Sequence, residues 1–195
     1  MKQTIFLIIV IGVVIIGFGS IYTINEAEQA VVTQFGKPVG GAVMDAGIHF
    51  KTPIIQTVIK FDKRILEWDG SANEIPTLDN KYIFIDAFAR WRISDALQFY
   101  KSAKNEMLAQ SRLDDILDGA VRDEIANRTM VEIVRSSNRV MVIQDVESSS
   151  VNVNNTVLED FSAKGARLEI VESILASVSK RLLELNMGIE ILDVQ

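Results

Sequence analysis

The side chains that could do chemistry are few and poorly spaced for it. The chain's one histidine, His49, stands in GIHF between Ile48 and Phe50, and cysteine is absent. With no G-x-S-x-G elbow, neither a nucleophile paired with a base nor a thiolate metal site can be assembled. One imidazole is too few for zinc. A histidine between two apolar strand residues reads as a packed or hydrogen-bonded structural group.

Carboxylates remain. Asp114 and Asp118 lie four residues apart, and Asp115, Asp123 and Glu124 extend the same acidic helix surface without a glycine-centred calcium loop around them. A hydrolase working through Asp114 and Asp118 is one reading, and a solvated helix face is the simpler one. The stretch GKPVGG, residues 36–41, has neither the spacing nor the lysine of a phosphate loop and reads as a turn. Arg90 and Arg92 could neutralise Asp86 or a partner's carboxylate, or simply protect an exposed strand. No catalytic, cofactor-binding or metal-binding residue is assigned and no cofactor is expected, which shifts weight from enzyme to scaffold or binding module.

The elements that would carry these residues follow an apolar run. From Thr4 to Ile24 no charge appears, and Ile, Val, Leu and Phe fill fourteen positions. That length suits a bilayer core about 30 Å thick, and at about −0.4 kcal/mol per residue such a run favours insertion by roughly 6 kcal/mol. The expectation is a transmembrane anchor over residues 1–25; a cleaved signal peptide ending near Gly17–Ser20 is the alternative. Lys2 precedes the run while Glu26 and Glu28 follow it, so the amino terminus is placed in the cytoplasm and the rest outside. Residues 26–195 then hold 19 basic against 26 acidic side chains, a net charge of −7. An acidic surface of this kind argues against nucleic acid and against a polybasic membrane contact.

Beyond the run the pattern is α+β: one domain over residues 26–195, or two small ones. Ala30–Phe35 is β-prone and closes at Gly36, Pro38, Gly40 and Gly41. Two or three short strands follow between Asp45 and Gly70, punctuated by Gly47 and Pro53. Residues 81–93 alternate with period two: Ile83, Ile85, Ala87, Ala89, Trp91 and Ile93 face a core, with Tyr82, Phe84, Asp86, Phe88, Arg90 and Arg92 on an amphipathic or partner-facing side. Ser94 or Asp95 caps a helix through Tyr100. Leu113, Ile116, Leu117, Ala120, Val121 and Ile125 mark a second helix, and Thr129 with Glu132 forms a capping box before another apolar group. Residues 147–155 read as a polar loop or insert. A last helix puts Leu168, Val171, Ile174, Leu175, Val178, Leu182 and Leu185 on one face and ends at Asn186 or Gly188, before a strand over Ile189–Val194. A chain stopping in a strand suggests a truncated carboxyl end.

Three blocks carry a resemblance. INEAEQAVVTQFGKP, DAGIHFKTPIIQTVIKFDKR and the strand ending WRISDALQFY, in that order behind an anchor, resemble the stomatin, prohibitin, flotillin and HflK/HflC group, also called SPFH or band 7, and within it the HflC type. GIEILDVQ resembles the strand that closes the group's domain, whereas residues 138–166 match poorly. The resemblance implies an α+β domain on the outer face of the bacterial inner membrane. It also implies hetero-oligomeric assembly with an HflK-type subunit around the ATP-dependent membrane protease FtsH, limiting which membrane proteins reach it. A stomatin-like or prohibitin-like membrane organiser without a protease partner is the alternative. Neither involves catalysis. The long charged helix that builds assembly walls in this group lies beyond the chain's last residue.

Overall fold

A computed structural model describes residues 17, 19–135 and 166–195. The polar insert expected at 147–155, and all of the apolar run before Gly17, lie outside the described residues. The elements run β1 (Ile21–Ile24), β2 (Glu28–Gln34), β3 (Lys37–Val43), β4 (Gly47–Phe50), β5 (Gln56–Asp62), β6 (Leu66–Asp69), β7 (Asn73–Pro76), β8 (Tyr82–Ile85) and β9 (Phe88–Ile93), followed by α1 (Ala96–Ser102), α2 (Glu106–Ala126), α3 (Met130–Val134), α4 (Arg167–Glu184) and β10 (Ile189–Val194). The α+β class is as expected. The described residues divide into two compact units. Those up to Leu66 with Arg90–Ala109 and Leu182–Leu192 form the first, and Glu67–Ala89, Gln110–Arg181 and Asp193–Gln195 the second.

In the first unit, β2 is the centre of an antiparallel sheet of order β3-β2-β5, and α1 lies on β2 and β3. Ala30 and Val31 are fully buried, and Phe61 meets Phe99 of α1 edge to face at 5.1 Å. Gln29, buried in the same strand, is satisfied by donating from Nε2 to the Ile93 carbonyl at 3.1 Å. A separate ladder pairs β1 with β4, Ile21 opposite Phe50 and Tyr22 opposite His49. The apolar run therefore does not continue as a helix to Ile24: its last four residues are strand, and Ile24 is buried in protein. Among the described residues no helix is long and apolar enough to cross a membrane.

GKPVGG is also corrected. The turn is confined to Phe35 and Gly36, both at positive φ, and Lys37–Val43 is strand β3, distorted near Gly40 at φ +81° and by a register shift between Val31 and Thr33. Two consecutive left-handed residues make the tight reversal, so the glycines beyond Gly36 remain available to the strand.

In the second unit, α2 and α4 each bury a stripe at intervals of four: Leu113, Leu117, Val121 and Ile125 on α2, and Ile170, Ile174 and Val178 on α4. Leu168 and Leu185, expected on the apolar face of α4, are exposed instead: Leu168 stands two positions from Ile170, on the far side of the helix, and Leu185 falls just past its last residue. The 81–93 stretch keeps its alternation but is not one strand. It breaks at Asp86 and Ala87, with β8 pairing β7 and β9 belonging to a sheet of order β10-β9-β6, within whose strands the chain passes between units. Tyr82 and Phe84 face outward on β8, as the period requires.

Helix ends obey the sequence. Asp95 caps α1 by accepting from the Leu97 and Gln98 amides at 2.8 and 3.1 Å. Glu132 closes the α3 capping box by accepting from the Thr129 amide at 2.8 Å. After α4 the chain turns through Asn186 at φ +52° and Gly188 at φ +67°. The Gly188 carbonyl accepts from both the Ser94 and Asp95 amides, so this turn locks β10 to the start of α1. A Cβ there would stand 2.4 Å from the Asp95 oxygen and 2.7 Å from the Phe99 nitrogen, both backbone atoms that cannot step aside. Gly188→Ala is expected to destabilise the protein by about 2 kcal/mol or more, measurable as a lower urea midpoint at unchanged slope.

Candidate functional site

The residues singled out for chemistry do not converge. His49 lies on β4, stacked near Tyr22 with ring centres 5.6 Å apart, and its Nε2–H donates to the Asp45 carbonyl at 2.8 Å. Its job there is to tie the approach to β4. Asp114, on α2, accepts from the indole Nε1 of the fully buried Trp68 at 2.5 Å. Asp118 lies one turn on, where burial, and then the Asp114 charge, push its carboxyl above the usual carboxylate range. Arg92 is held by Glu190 of β10, with Nε and Nη2 each 2.8 Å from Oε2. Trp91, expected in the core, is buried. No cluster of three or more His, Cys, Asp or Glu that could hold a metal occurs among the described residues.

Carboxylates elsewhere are also structural. Asp79 takes the Thr77 hydroxyl at 2.5 Å, the Lys81 ammonium at 3.0 Å and the Met130 amide at 3.2 Å, and the Thr77 hydroxyl, with Lys81, holds its pKa far below the usual range. It thereby fastens the β7–β8 turn to the first turn of α3.

The conspicuous surface feature is apolar. Cross-strand partners share a face, so Ile21 and Phe50, with Ile48 two residues earlier, lie on one side of the β1–β4 ladder, and all are exposed. The chain then turns through Pro53 and Ile54. Phe50 is 76% exposed and Ile54 96% exposed. Ile54 also has φ +73°, a conformation that costs a β-branched residue about 1–3 kcal/mol. Lys51 N donates to the Ser20 carbonyl at 2.7 Å, so this loop adjoins the point where the apolar run passes into β1. The sequence reading missed the loop as a surface. Its apolar residues looked like strand interior, and only the pairing of β4 with β1 turns them outward.

The sequence model of the SPFH domain / Band 7 family matches residues 22–195. The chain belongs to that family. Among curated SPFH relatives, Protein HflC of Treponema pallidum (strain Nichols) is 32% identical over 178 residues, covering 88% of this chain and 54% of its own. Protein HflC of Borreliella burgdorferi is 33% identical over 191 residues, 97% of this chain and 58% of that one. The Modulator of FtsH protease HflC of Escherichia coli (strain K12) is 27% identical over 215 aligned residues, which span this whole chain and 63% of that protein. The chain thus spans roughly three-fifths or less of the length of these SPFH relatives.

Two outcomes test the structural role of the acidic helix face. Asp114→Ala strands the buried Trp68 N–H and should cost about 1–3 kcal/mol, whereas Asp114→Asn, which keeps an acceptor, should cost clearly less in a chemical melt. Asp118, with its folded pKa raised, binds its proton more tightly when folded, so its contribution to stability falls as pH climbs from about 3.9 through the folded value. Asp118→Asn should accordingly raise the melting temperature at pH 7 and leave it unchanged near pH 3.

Proposed function

We propose that this chain is a non-catalytic, membrane-anchored subunit of an HflK/HflC-type complex that modulates an FtsH-type protease. It assembles with an HflK-like subunit and limits what reaches the protease. The observation carrying the membrane part is the junction at Ser20. An apolar run with no charge after Lys2 feeds directly into β1, and the exposed Ile48, Phe50 and Ile54 lie on the ladder and loop beside it. Residues 4–20 still supply about 17 residues, the short end of what spans a bilayer. With Lys2 ahead of the run and Glu26 and Glu28 after it, the amino terminus is cytoplasmic and the SPFH units are periplasmic, at the inner membrane.

The protease part is supported by the name of the Escherichia coli relative, a modulator of FtsH protease, and by a fold in which His49 serves as a tie and Asp114 as a hydrogen-bond acceptor. The first test is capture from mild detergent with a tag on this chain in its own cell. Recovery of both an HflK-like protein and the membrane protease is the expected result. Recovery of membrane with neither would leave the stomatin-like organiser, and the protease role would be discarded.

A second measurement isolates the membrane contact. Trp68 and Trp91 are buried, so a tryptophan placed at the exposed loop tip reports on its own surroundings. In Ile54→Trp reconstituted into vesicles, the added emission should shift to the blue and be quenched by brominated acyl chains. Emission at water-exposed wavelengths, unaffected by bromine, would place the loop away from lipid.

A further inference from the structure

The second unit holds an apolar cleft that the membrane and assembly reading does not use. Its floor is built from Val121 and Ile125 of α2 and Ile170 and Ile174 of α4, with Ile83 of β8 on the wall. The volume is about 260 Å³, just under the range of about 300–1,000 Å³ that holds small organic ligands. An aliphatic chain could be buried there, each methylene removed from water adding to its binding.

Two charged side chains stand in the lining, Asp86 just after β8 and Arg167 at the start of α4. Both are exposed, and neither makes a side-chain hydrogen bond or ion pair among the described residues. A guanidinium and a carboxylate left unpaired beside aliphatic walls complement a ligand that carries an apolar chain and both signs of charge. The guanidinium fork matches phosphate oxygens, and the carboxylate matches an ammonium.

We propose that this cleft binds a single-chain zwitterionic amphiphile, of the lysophosphatidylethanolamine class, with its acyl chain between α2 and α4, its phosphate on Arg167 and its ammonium on Asp86. The source of the ligand is the bilayer, so the inference rests on the membrane reading above. The test keeps the two apart.

The probe is a lysophosphatidylethanolamine with a photoactivatable group in its acyl chain, added to the full chain in lipid nanodiscs, with crosslinks mapped by mass spectrometry. Labelling is expected on peptides containing Ile83–Asp86 and Arg167–Ile174, and separately, if the membrane reading holds, on residues 4–20. Filling the cleft with Ile170→Trp should cut the cleft labelling about tenfold, and the surface change Arg167→Glu should cut it several-fold, both leaving residues 4–20 labelled as before. Labelling at 4–20 with none in the cleft, or cleft labelling indifferent to both variants, overturns the proposal while sparing the membrane reading. Labelling of the cleft alone upholds the site and sinks the anchor, and labelling nowhere sinks both. Competition by dodecanoate as effective as by unlabelled lysophosphatidylethanolamine would assign the site to a simple carboxylate and overturn the zwitterion.

Discussion

The interaction on which most of this protein depends is the backbone ladder between Ile21–Ile24 and Gly47–Phe50. Hydrocarbon offers a backbone no partner, so a spanning segment must be a helix or part of a closed barrel, and a two-stranded ladder must lie outside the lipid core. On the proposed membrane reading, the ladder marks where the apolar run would leave the lipid and the SPFH fold begin. It also draws the Pro53–Ile54 loop to that same point, through the Lys51 to Ser20 hydrogen bond, and so gathers exposed apolar side chains beside the end of the apolar run. An exposed, strained isoleucine has no stabilising role in water, and the proposed bilayer contact would give Ile54 one.

Several acidic side chains are committed to holding elements of the fold together. Asp95 and Glu132 accept backbone amides at helix starts, where four N–H groups otherwise lack partners and the helix dipole favours negative charge. Asp79 does the same across sequence, holding the Met130 amide and the Lys81 ammonium together. Asp114 satisfies a buried indole. A carboxylate oxygen engaged by such donors has fewer lone pairs to offer a substrate, so these positions suit the fastening of elements.

Much of this was legible in the residues alone, because it depends on neighbours a few positions away. Period two from Tyr82 to Ile93 determined which side chains face in, and period 3.6 did so for α2. Asp95, Thr129 with Glu132, and Gly188 announced helix ends through chemistry that is local to each. The blocks around Glu28–Lys37, Gly47–Pro53 and Trp91–Asp95, in that order behind the apolar run, were enough to point to the SPFH family.

What the tertiary structure decided is everything that depends on which distant segment supplies the partner. The alternation across Asp86 and Ala87 is unbroken in sequence, yet β8 finds β7 and β9 finds β10 and β6, because hydrogen-bonding partners are not written into side-chain period. Ile21–Ile24 is as apolar as the run before it, and only β4 makes it a strand. Leu168 and Leu185 have the right spacing for the α4 face, but the core touches a stripe centred on Ile170, Ile174 and Val178, and a helix apolar over a wide arc cannot name the line its neighbours will choose. Sequence sets faces through local geometry; pairing and burial are settled by contacts far apart in the chain, whose closure no short window contains.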